Sequence, residues 1–237
     1  MKTIVFVVEG QTELIFTQQF IDKLVSLSSV HVTHQKLRNG IVSTIGCRGV
    51  SIENADIVIT ILNAEGDNSV NSYILSRWQE FKKKNVYAVY GLRDRYSGSG
   101  VPIDYRALEA FFEEKSREWG IYVRLIVAVE EIEAWFLAVP SFFQRIDENL
   151  TEQRVIEILG SEISDGVVES IRHPAQSINR VLNSVSKRYT KRLDDTYSIA
   201  TKLDYDCLYL EKSADIQALK KFVDALELSL APPSVDV

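Results

Sequence analysis

The sequence is poor in the residues that form disulfides and transition-metal sites. Only two cysteines occur in 237 residues, Cys47 and Cys207, and they lie far apart and outside any CxxC pattern. This excludes a disulfide-rich scaffold and favours two free thiols. His31 and His34 are three residues apart, so on a strand they would point to opposite faces, and no further ligand accompanies them. A zinc site is therefore not expected.

Long apolar runs are also missing. No stretch approaches the ~18 consecutive apolar residues of a membrane span. The apolar run that separates Met1 from Glu9 is too short for a signal peptide. We therefore expect a cytoplasmic protein that has no membrane partner. The hydrophobic content of 46% and charged content of 25% are typical of an ordinary globular chain.

The chain has neither a basic excess nor a glycine-rich phosphate loop. The formal net charge is −6, which argues against a dedicated nucleic-acid-binding module but allows an enzyme whose metal ions contact the phosphates. No GxGxxG or Walker-type loop occurs. An unrelated nucleotide-binding domain is therefore the weakest alternative.

What is present in the first half is an alternation of short apolar runs with amphipathic stretches. The runs are rich in Val, Ile and Tyr and predict strands, at Ile4 to Val8, Val30 to Leu37, Ile57 to Leu62, Val86 to Leu92 and Tyr122 to Val127. Helical spacing predicts helices between them, at Thr12 to Leu27, Ser69 to Lys84 and Tyr105 to Trp119. Residues 38 to 56 show no clear period. This alternation predicts an α/β fold with a doubly wound, mainly parallel sheet.

After about residue 128 the pattern changes to helices alone. Helices are predicted with no convincing strand between them, at Glu130 to Ala138, Thr151 to Leu159, Ala175 to Arg188 and Ser213 to Leu226. The sequence therefore predicts an α/β core over residues 1 to 128. A C-terminal helical extension over residues 129 to 230 is expected to pack on that core.

Acidic side chains follow three of the predicted strands. Glu9 ends the first strand within VVEGQTE, Asp94 ends a later strand within GLRDRY, and Glu130, Glu131 and Glu133 follow the last strand within VEEIEAW. Doubly wound sheets form their ligand sites at the carboxyl ends of the strands, so we expect these carboxylates to converge. Converging carboxylates repel one another unless a cation neutralises them. Mg²⁺ or Mn²⁺ is the expected cofactor, because both prefer oxygen ligands.

These motifs together resemble the TOPRIM superfamily. They are most similar to a group of TOPRIM-like domains of unknown function, related to nucleases of the OLD type and often encoded in bacterial mobile-element or phage-defence loci. Members of that group share a V-E-G-x-T-E start, a D-x-D-like turn, an E-A-W helix and a later proline followed by Tyr-x-Lys. Pro174, Tyr189 and Lys191 stand in that order here. The resemblance spans most of the chain.

The resemblance implies roles for individual residues. Glu9, Asp94 and Lys191 match the catalytic positions, and Glu9, Asp94 and Glu133 match metal ligands. Glu9 would act as a ligand or as a general acid/base. Lys191 would offset the charge that develops on the phosphate in the transition state. Tyr96 stands where the family has its second aspartate, and Glu133 would supply the missing ligand.

Further charged residues adjoin these positions. Arg93, Arg95 and Arg192 are candidates for phosphate contacts, and solvated surface charges are the alternative interpretation. Glu13 is interpreted mainly as a residue that caps or solvates the first helix turn. Glu131 is interpreted as an exposed first-turn acid.

Two functions of different class remain open. The first is a Mg²⁺-dependent nuclease or nuclease-derived effector that acts on nucleic-acid phosphodiesters, and the resemblance associates it with anti-phage defence. The second is a catalytically degenerate TOPRIM-fold subunit that binds or regulates together with a partner protein such as an ATPase. The missing second aspartate and the acidic net charge favour the second function. The sequence decides neither between DNA and RNA nor the oligomeric state.

The metal-dependent nuclease function leads to geometric expectations. The carboxyl groups of Glu9, Asp94 and Glu133 should lie within about 10 Å of one another, a spread that one or two hydrated metal ions can bridge. The helix from Ala175 to Arg188 should deliver Lys191 to within about 12 Å of the Glu9 carboxylate. We expect Lys191→Ala to abolish nuclease activity with little change in melting temperature, since an exposed lysine contributes little to stability.

Overall fold

The computed structural model describes residues 1–25, 27–66, 69–95, 103–160, 163 and 168–231. It contains a six-stranded sheet in the order β3-β2-β4-β1-β5-β6. The described strands are β1 Lys2–Val8, β2 Val30–Arg38, β3 Ile41–Gly49, β4 Ile57–Asn63, β5 Ala88–Asp94 and β6 Tyr122–Ala128. All neighbouring strands run parallel except β3, which is antiparallel to β2. The predicted α/β, mainly parallel fold is confirmed.

The antiparallel edge strand is the one strand of the described sheet that the sequence did not predict. β3 lies within residues 38 to 56, where no period was evident. Its exposed residues include Ile41 and Ile45, so its burial pattern lacks the strict alternation of a half-buried strand. A two-residue turn of Asn39 and Gly40 joins it to β2. Both residues have positive φ, 52° and 77°, as tight hairpin turns require.

Helices follow the strands in the first half and make up most of the second. The described helices are α1 Gln11–Leu24, α2 Ser69–Lys83, α3 Tyr105–Trp119, α4 Glu133–Leu137, α5 Glu152–Leu159, α6 Pro174–Asn183, α7 Leu193–Ala200, α8 Tyr205–Leu210 and α9 Gln217–Leu230. Short 3-10 turns lie at Ile52–Asn54, Pro140–Arg145, Val168–Ser170 and Lys212–Ala214. Among these described helices, none is long and apolar enough to cross a membrane.

Several helix boundaries differ from the prediction. α3 matches it: the Asp104 side chain accepts a hydrogen bond from the Ala107 N–H, and Gly120 ends the helix in the left-handed conformation. The helix predicted from residue 175 to 188 instead ends at Asn183, so Lys191 lies in the segment between α6 and α7. The last helix begins four residues later than predicted, at Gln217. α7 and α8 were not predicted.

The two faces of the sheet carry separate hydrophobic cores. Side chains alternate along β1, so Phe6 packs into one core and Val7 into the other. α2 and α3 cover the Val7 face. α1 and the helices that follow β6 cover the Phe6 face, where Phe222 of α9 lies 5.6 Å from Phe16 of α1, measured between ring centroids. The helical extension therefore completes the core that α1 begins.

Candidate acidic metal site

The site lies at the carboxyl ends of β1 and β5, which are neighbours in the sheet. The chain passes from β1 to α1 on one face of the sheet and from β5 to α3 on the opposite face. A crevice therefore opens between the ends of β1 and β5, as at the switch point of other doubly wound sheets. Glu9 follows β1 and Asp94 is the last residue of β5. The backbone N–H of Asp94 donates to Glu9 Oε2 over 3.1 Å. The sheet therefore brings these two predicted residues into contact.

Three carboxylates form a compact group at this crevice. One side-chain oxygen from each of Asp94, Glu131 and Glu133 lies within 4.8 Å of the others. Asp94 Oδ1 also accepts the Ile132 N–H over 3.0 Å, which holds the segment before α4 against the end of β5. Oxygen ligands at this spacing fit a hard cation such as Mg²⁺. This acidic triad of Asp94, Glu131 and Glu133 could hold one metal ion.

The membership of the triad differs from the predicted ligand set. Glu131, interpreted as an exposed acid, belongs to this group, and the ligand role expected for Glu9, whose Oε2 accepts the Asp94 N–H, stays a prediction. Glu131 is half-buried, and its Oε2 accepts the N–H of Ala175, at the start of α6, over 3.2 Å. Glu9 instead faces Asp94 and Arg93. Glu131 shared the strand-end signal of Glu133, but its contact with α6, which is distant in sequence, could not be predicted from helical spacing.

Lys191 reaches the acidic triad from the segment between α6 and α7. Its Nζ lies 3.1 Å from Glu131 Oε1 and 3.2 Å from Glu133 Oε2. The residue has a φ of 56°, a left-handed backbone conformation that is uncommon outside glycine. The prediction that Lys191 faces the acidic residues is supported by these contacts, although a loop and not the end of a helix delivers it.

A small polar network holds this segment in place. The Tyr189 hydroxyl donates to Glu133 Oε1 over 2.8 Å and lies 3.3 Å from the Thr12 hydroxyl. The Asn179 amide bonds the backbone of Tyr189 twice, donating to its carbonyl and accepting from its N–H, each over 2.7 Å. Tyr189 and Glu133 are both buried. The network thus fixes the orientation of Glu133 and the approach of Lys191.

Burial and mutual repulsion shift the protonation of these groups. Burial, then the charges of Glu13, Glu133 and Glu9, raises the pKa of Asp94 well above its ordinary value. Burial and the charge of Glu133 raise the pKa of Glu13 to about 7. Burial would lower the pKa of Lys191, but Glu133, Asp94 and Glu131 outweigh it and raise that pKa. These shifts reflect crowded carboxyl groups that ionise with difficulty by themselves, and a bound cation would stabilise their ionised forms.

Glu13 is a residue of this site that the sequence interpretation missed. It was assigned to the solvated first turn of α1, but its side chain is buried, with 5% of the residue exposed. Its carboxylate lies close to Gly10, where an added Cβ would stand 3.1 Å from Glu13 Oε2. Glu9 and Glu13 are four residues apart in VEGQTE, and α1 begins between them. This spacing is the sequence signal that could have assigned Glu13 to the site.

The three arginines predicted to bind phosphate occupy different environments. Arg93 is 1% exposed, and its Nε donates to the Asp94 carbonyl and lies 3.9 Å from Glu9 Oε2. This burial favours a structural role beside Glu9. Arg95 stacks its guanidinium over the Tyr105 ring at 5.5 Å, and Arg192 is exposed at the start of α7. Phosphate binding by all three stays a prediction, and Tyr96 lies outside the described residues.

Comparisons with known proteins do not assign a family. No family model and no curated protein matches the chain. One solved structure, described as a cell surface hydrolase from Lactobacillus plantarum WCFS1, aligns with 12% identity and a TM-score of 0.31. The alignment covers 58% of this chain and 57% of that one. A likeness at this level carries no argument about function.

Proposed function

We propose that the protein is a Mg²⁺-dependent phosphoryl-transfer enzyme, a TOPRIM-like nuclease or nuclease-derived effector. The observation that supports this proposal is the acidic triad at the switch point of the sheet, whose ligand oxygens lie within 4.8 Å of one another. A lysine ammonium stands beside two of its members. Carboxylates that hold a metal, next to a fixed positive charge, form an arrangement suited to a phosphodiester.

Each side chain has a task in this proposal. Asp94, Glu131 and Glu133 would hold the ion, which when bound polarises the phosphodiester and makes water a better nucleophile at neutral pH. Lys191 donates hydrogen bonds to the non-bridging phosphate oxygens, where negative charge builds up. Tyr189 keeps Glu133 oriented through its hydroxyl. Glu13, whose pKa is raised by burial and by Glu133 when no cation is bound, would ionise more readily beside a bound ion.

A second function is favoured by one specific contact. Lys191 already compensates Glu131 and Glu133 through its ammonium, so the carboxylates have a cationic partner that belongs to the chain itself. A degenerate TOPRIM-fold subunit would need no metal if this ion pair were permanent. Such a subunit would bind or regulate together with a partner protein, for example an ATPase.

Metal titration separates the two functions. We expect isothermal titration calorimetry to show binding of Mg²⁺ and Mn²⁺ to the wild-type protein. Glu133→Gln should weaken that binding at least tenfold, because it removes one charged ligand while the amide oxygen can still accept from Tyr189. Glu157→Gln is the matched control, since Glu157 lies on α5 in an exposed pair with Arg154.

Activity is then measured on labelled single-stranded and duplex DNA and RNA. The nuclease proposal requires metal-dependent cleavage that Glu133→Gln abolishes and Glu157→Gln preserves. A wild-type protein that binds neither ion would contradict the nuclease proposal and support the metal-free subunit. Specific capture of a partner protein would then be the next measurement.

A further inference from the structure

The Lys191 ammonium contacts the same carboxylates that would bind a metal ion. Its Nζ lies 3.1 Å from Glu131 Oε1, 3.1 Å from Glu133 Oε1 and 3.2 Å from Glu133 Oε2. Glu131 and Glu133 are two of the three members of the acidic triad, whose ligand oxygens lie within 4.8 Å of one another. Two members of the triad are therefore already paired with a cation that belongs to the chain.

A metal ion and this ammonium would compete for the two glutamates. Mg²⁺ bonds carboxylate oxygens at about 2.1 Å, so an ion on the oxygens that contact Lys191 would lie within about 5 Å of its Nζ. Like charges at such a separation repel strongly where water is partly excluded, and the Glu133 side chain is fully buried. Mg²⁺ also keeps several of its waters, which need space around the ion. Binding of one cation therefore weakens binding of the other.

The backbone around Lys191 is fixed, so the side chain is the part that can move. Asn179 makes two hydrogen bonds to the backbone of Tyr189, and the Thr190 N–H donates to Asp195 Oδ2 over 3.1 Å. By contrast, 40% of the Lys191 side chain is exposed, and its four-carbon stem is flexible. The ammonium can therefore leave the acidic triad for solvent without a change in the fold.

An exchange of the two cations would keep Glu133 compensated throughout. A buried carboxylate that loses its only cation is strongly destabilising, but an arriving metal ion replaces the charge that the lysine removes. The Tyr189 hydroxyl bonds Glu133 Oε1 independently of Lys191, so it holds the carboxylate in place in both states. The released ammonium is then free to donate to another anion, which it does poorly while two carboxylates compensate its charge.

We propose that Lys191 is an internal competitor for the metal ligands, and that an arriving divalent ion displaces its ammonium and so frees it for a phosphate. The inference rests on the proposed function, because it takes the acidic triad to be a metal site. It adds an order of events to that function: the ion binds first, and the contact between Lys191 and the phosphate forms second. In the metal-free protein the lysine is kept from the phosphate.

The affinity for Mn²⁺, measured by isothermal titration calorimetry, tests the competition without any substrate. Lys191→Met removes the ammonium, so it should bind Mn²⁺ at least about tenfold more tightly than wild type. Lys191→Arg keeps a cation whose planar fork pairs well with carboxylates, so it should bind no more tightly than wild type. Lys220→Met is the matched control, because Lys220 lies on α9 in an exposed pair with Asp224, and it should bind as wild type does.

Diffraction from wild-type crystals soaked in Mn²⁺ gives a second measurement. Anomalous scattering locates the ion. We expect it on Glu131 and Glu133, with the Lys191 Nζ farther than about 4 Å, the limit of an ion pair, from both carboxylates. An ion bound there beside a lysine that still contacts both glutamates would overturn the inference, even if Lys191→Met did not fold.

The calorimetric results separate this inference from the proposed function. Equal or weaker Mn²⁺ binding by folded Lys191→Met would overturn the competition and leave the metal site in place. Equal tightening in Lys191→Arg would also overturn it, because the charge would not be the cause. Binding by Lys191→Met but not by wild type would uphold the competition and contradict the nuclease proposal. Failure of every variant to bind Mn²⁺ would overturn both.

Discussion

The Glu13 carboxyl group is buried next to other acids, and this gives the metal-free protein a pH-dependent stability. Its pKa is about 7 in the folded chain, above the ordinary value of about 4.3 for an exposed glutamate. As the pH rises between these two values, the unfolded state releases this proton and the folded state keeps it. Glu13 therefore stabilises the fold below about pH 4 and loses that contribution as the pH rises through about 7.

Glu13→Gln tests this linkage. In EDTA, the free energy of unfolding of the wild type should contain a contribution on the order of 3 kcal/mol that disappears between about pH 4 and 8. The variant should lack that part of the slope and be more stable than wild type at pH 8. Urea unfolding across this pH range measures both quantities, with Glu157→Gln as the exposed control. Parallel curves for wild type and Glu13→Gln would refute the assignment.

Lys191 is partly exposed, but it forms ion pairs with buried and half-buried acids. Replacing it should therefore lower the free energy of unfolding. Although 40% of its side chain is exposed, its ammonium compensates Glu133, whose side chain is fully buried. Lys191→Met leaves that carboxylate without its cation. We expect a loss on the order of 1 to 3 kcal/mol, less than for a fully buried pair because solvent screens the lysine. The melting temperature should therefore fall when Lys191 is replaced, contrary to the sequence-based expectation that it would change little.

Thermal unfolding with and without Mg²⁺ measures this effect. If a cation can take the place of the ammonium charge, Mg²⁺ should raise the melting temperature of Lys191→Met by more than it raises that of wild type. Lys220→Met is the control, because Lys220 forms an exposed pair with Asp224 that contributes about 1 kcal/mol or less. Equal destabilisation by both substitutions would show that Lys191 is a solvated charge.

At the scale of elements, α6 controls the segment that carries Lys191. Asn179 of α6 makes two hydrogen bonds to the backbone of Tyr189. Asn179→Ala removes both and should cost about 1 to 3 kcal/mol. Hydrogen exchange of residues 184 to 192 should accelerate in the variant, while exchange in β1 and β5 stays slow. Asn149→Ala, which removes a local bond to Asp147, should leave this segment unchanged, and unchanged exchange in Asn179→Ala would contradict the role.

The elements also show what the sequence could and could not predict. Apolar runs predicted the four central strands and the edge strand β6, because strands of a parallel sheet that are covered on both faces have nearly continuous apolar sequence. The edge strand β3 is mostly exposed and lacks that signal, but Asn39-Gly40 was an available hairpin signal. Asp94 and Glu133 could be predicted from strand ends. Glu131 follows the same strand as Glu133 and shared that signal, but its contact with Ala175, 44 residues away in sequence, could not be predicted.

At the scale of the whole molecule, both halves of the chain contribute to one core. Phe16 of α1 packs against Trp135 of α4 at 5.4 Å and against Phe222 of α9 at 5.6 Å, measured between ring centroids. Lys2, at the start of β1, donates to the carbonyls of Leu228 and Ala231. The acidic triad likewise joins Asp94 of the first half to two glutamates of the second. Folding of the extension and formation of the site are therefore expected to be one event.

Truncation after Ala128 tests this dependence. The fragment of residues 1–128 keeps all six strands but loses the helices that cover the Phe6 face, so it would expose Phe6, Phe16 and Phe20, which are fully buried in the full chain. A contiguous apolar surface of that kind leads to aggregation or to loss of fixed packing. We expect the fragment to lack a cooperative thermal transition in circular dichroism, whereas the full chain and a chain ending at Ala231 each unfold in one calorimetric transition. A soluble fragment with its own cooperative transition would instead show that residues 1–128 form an independent domain.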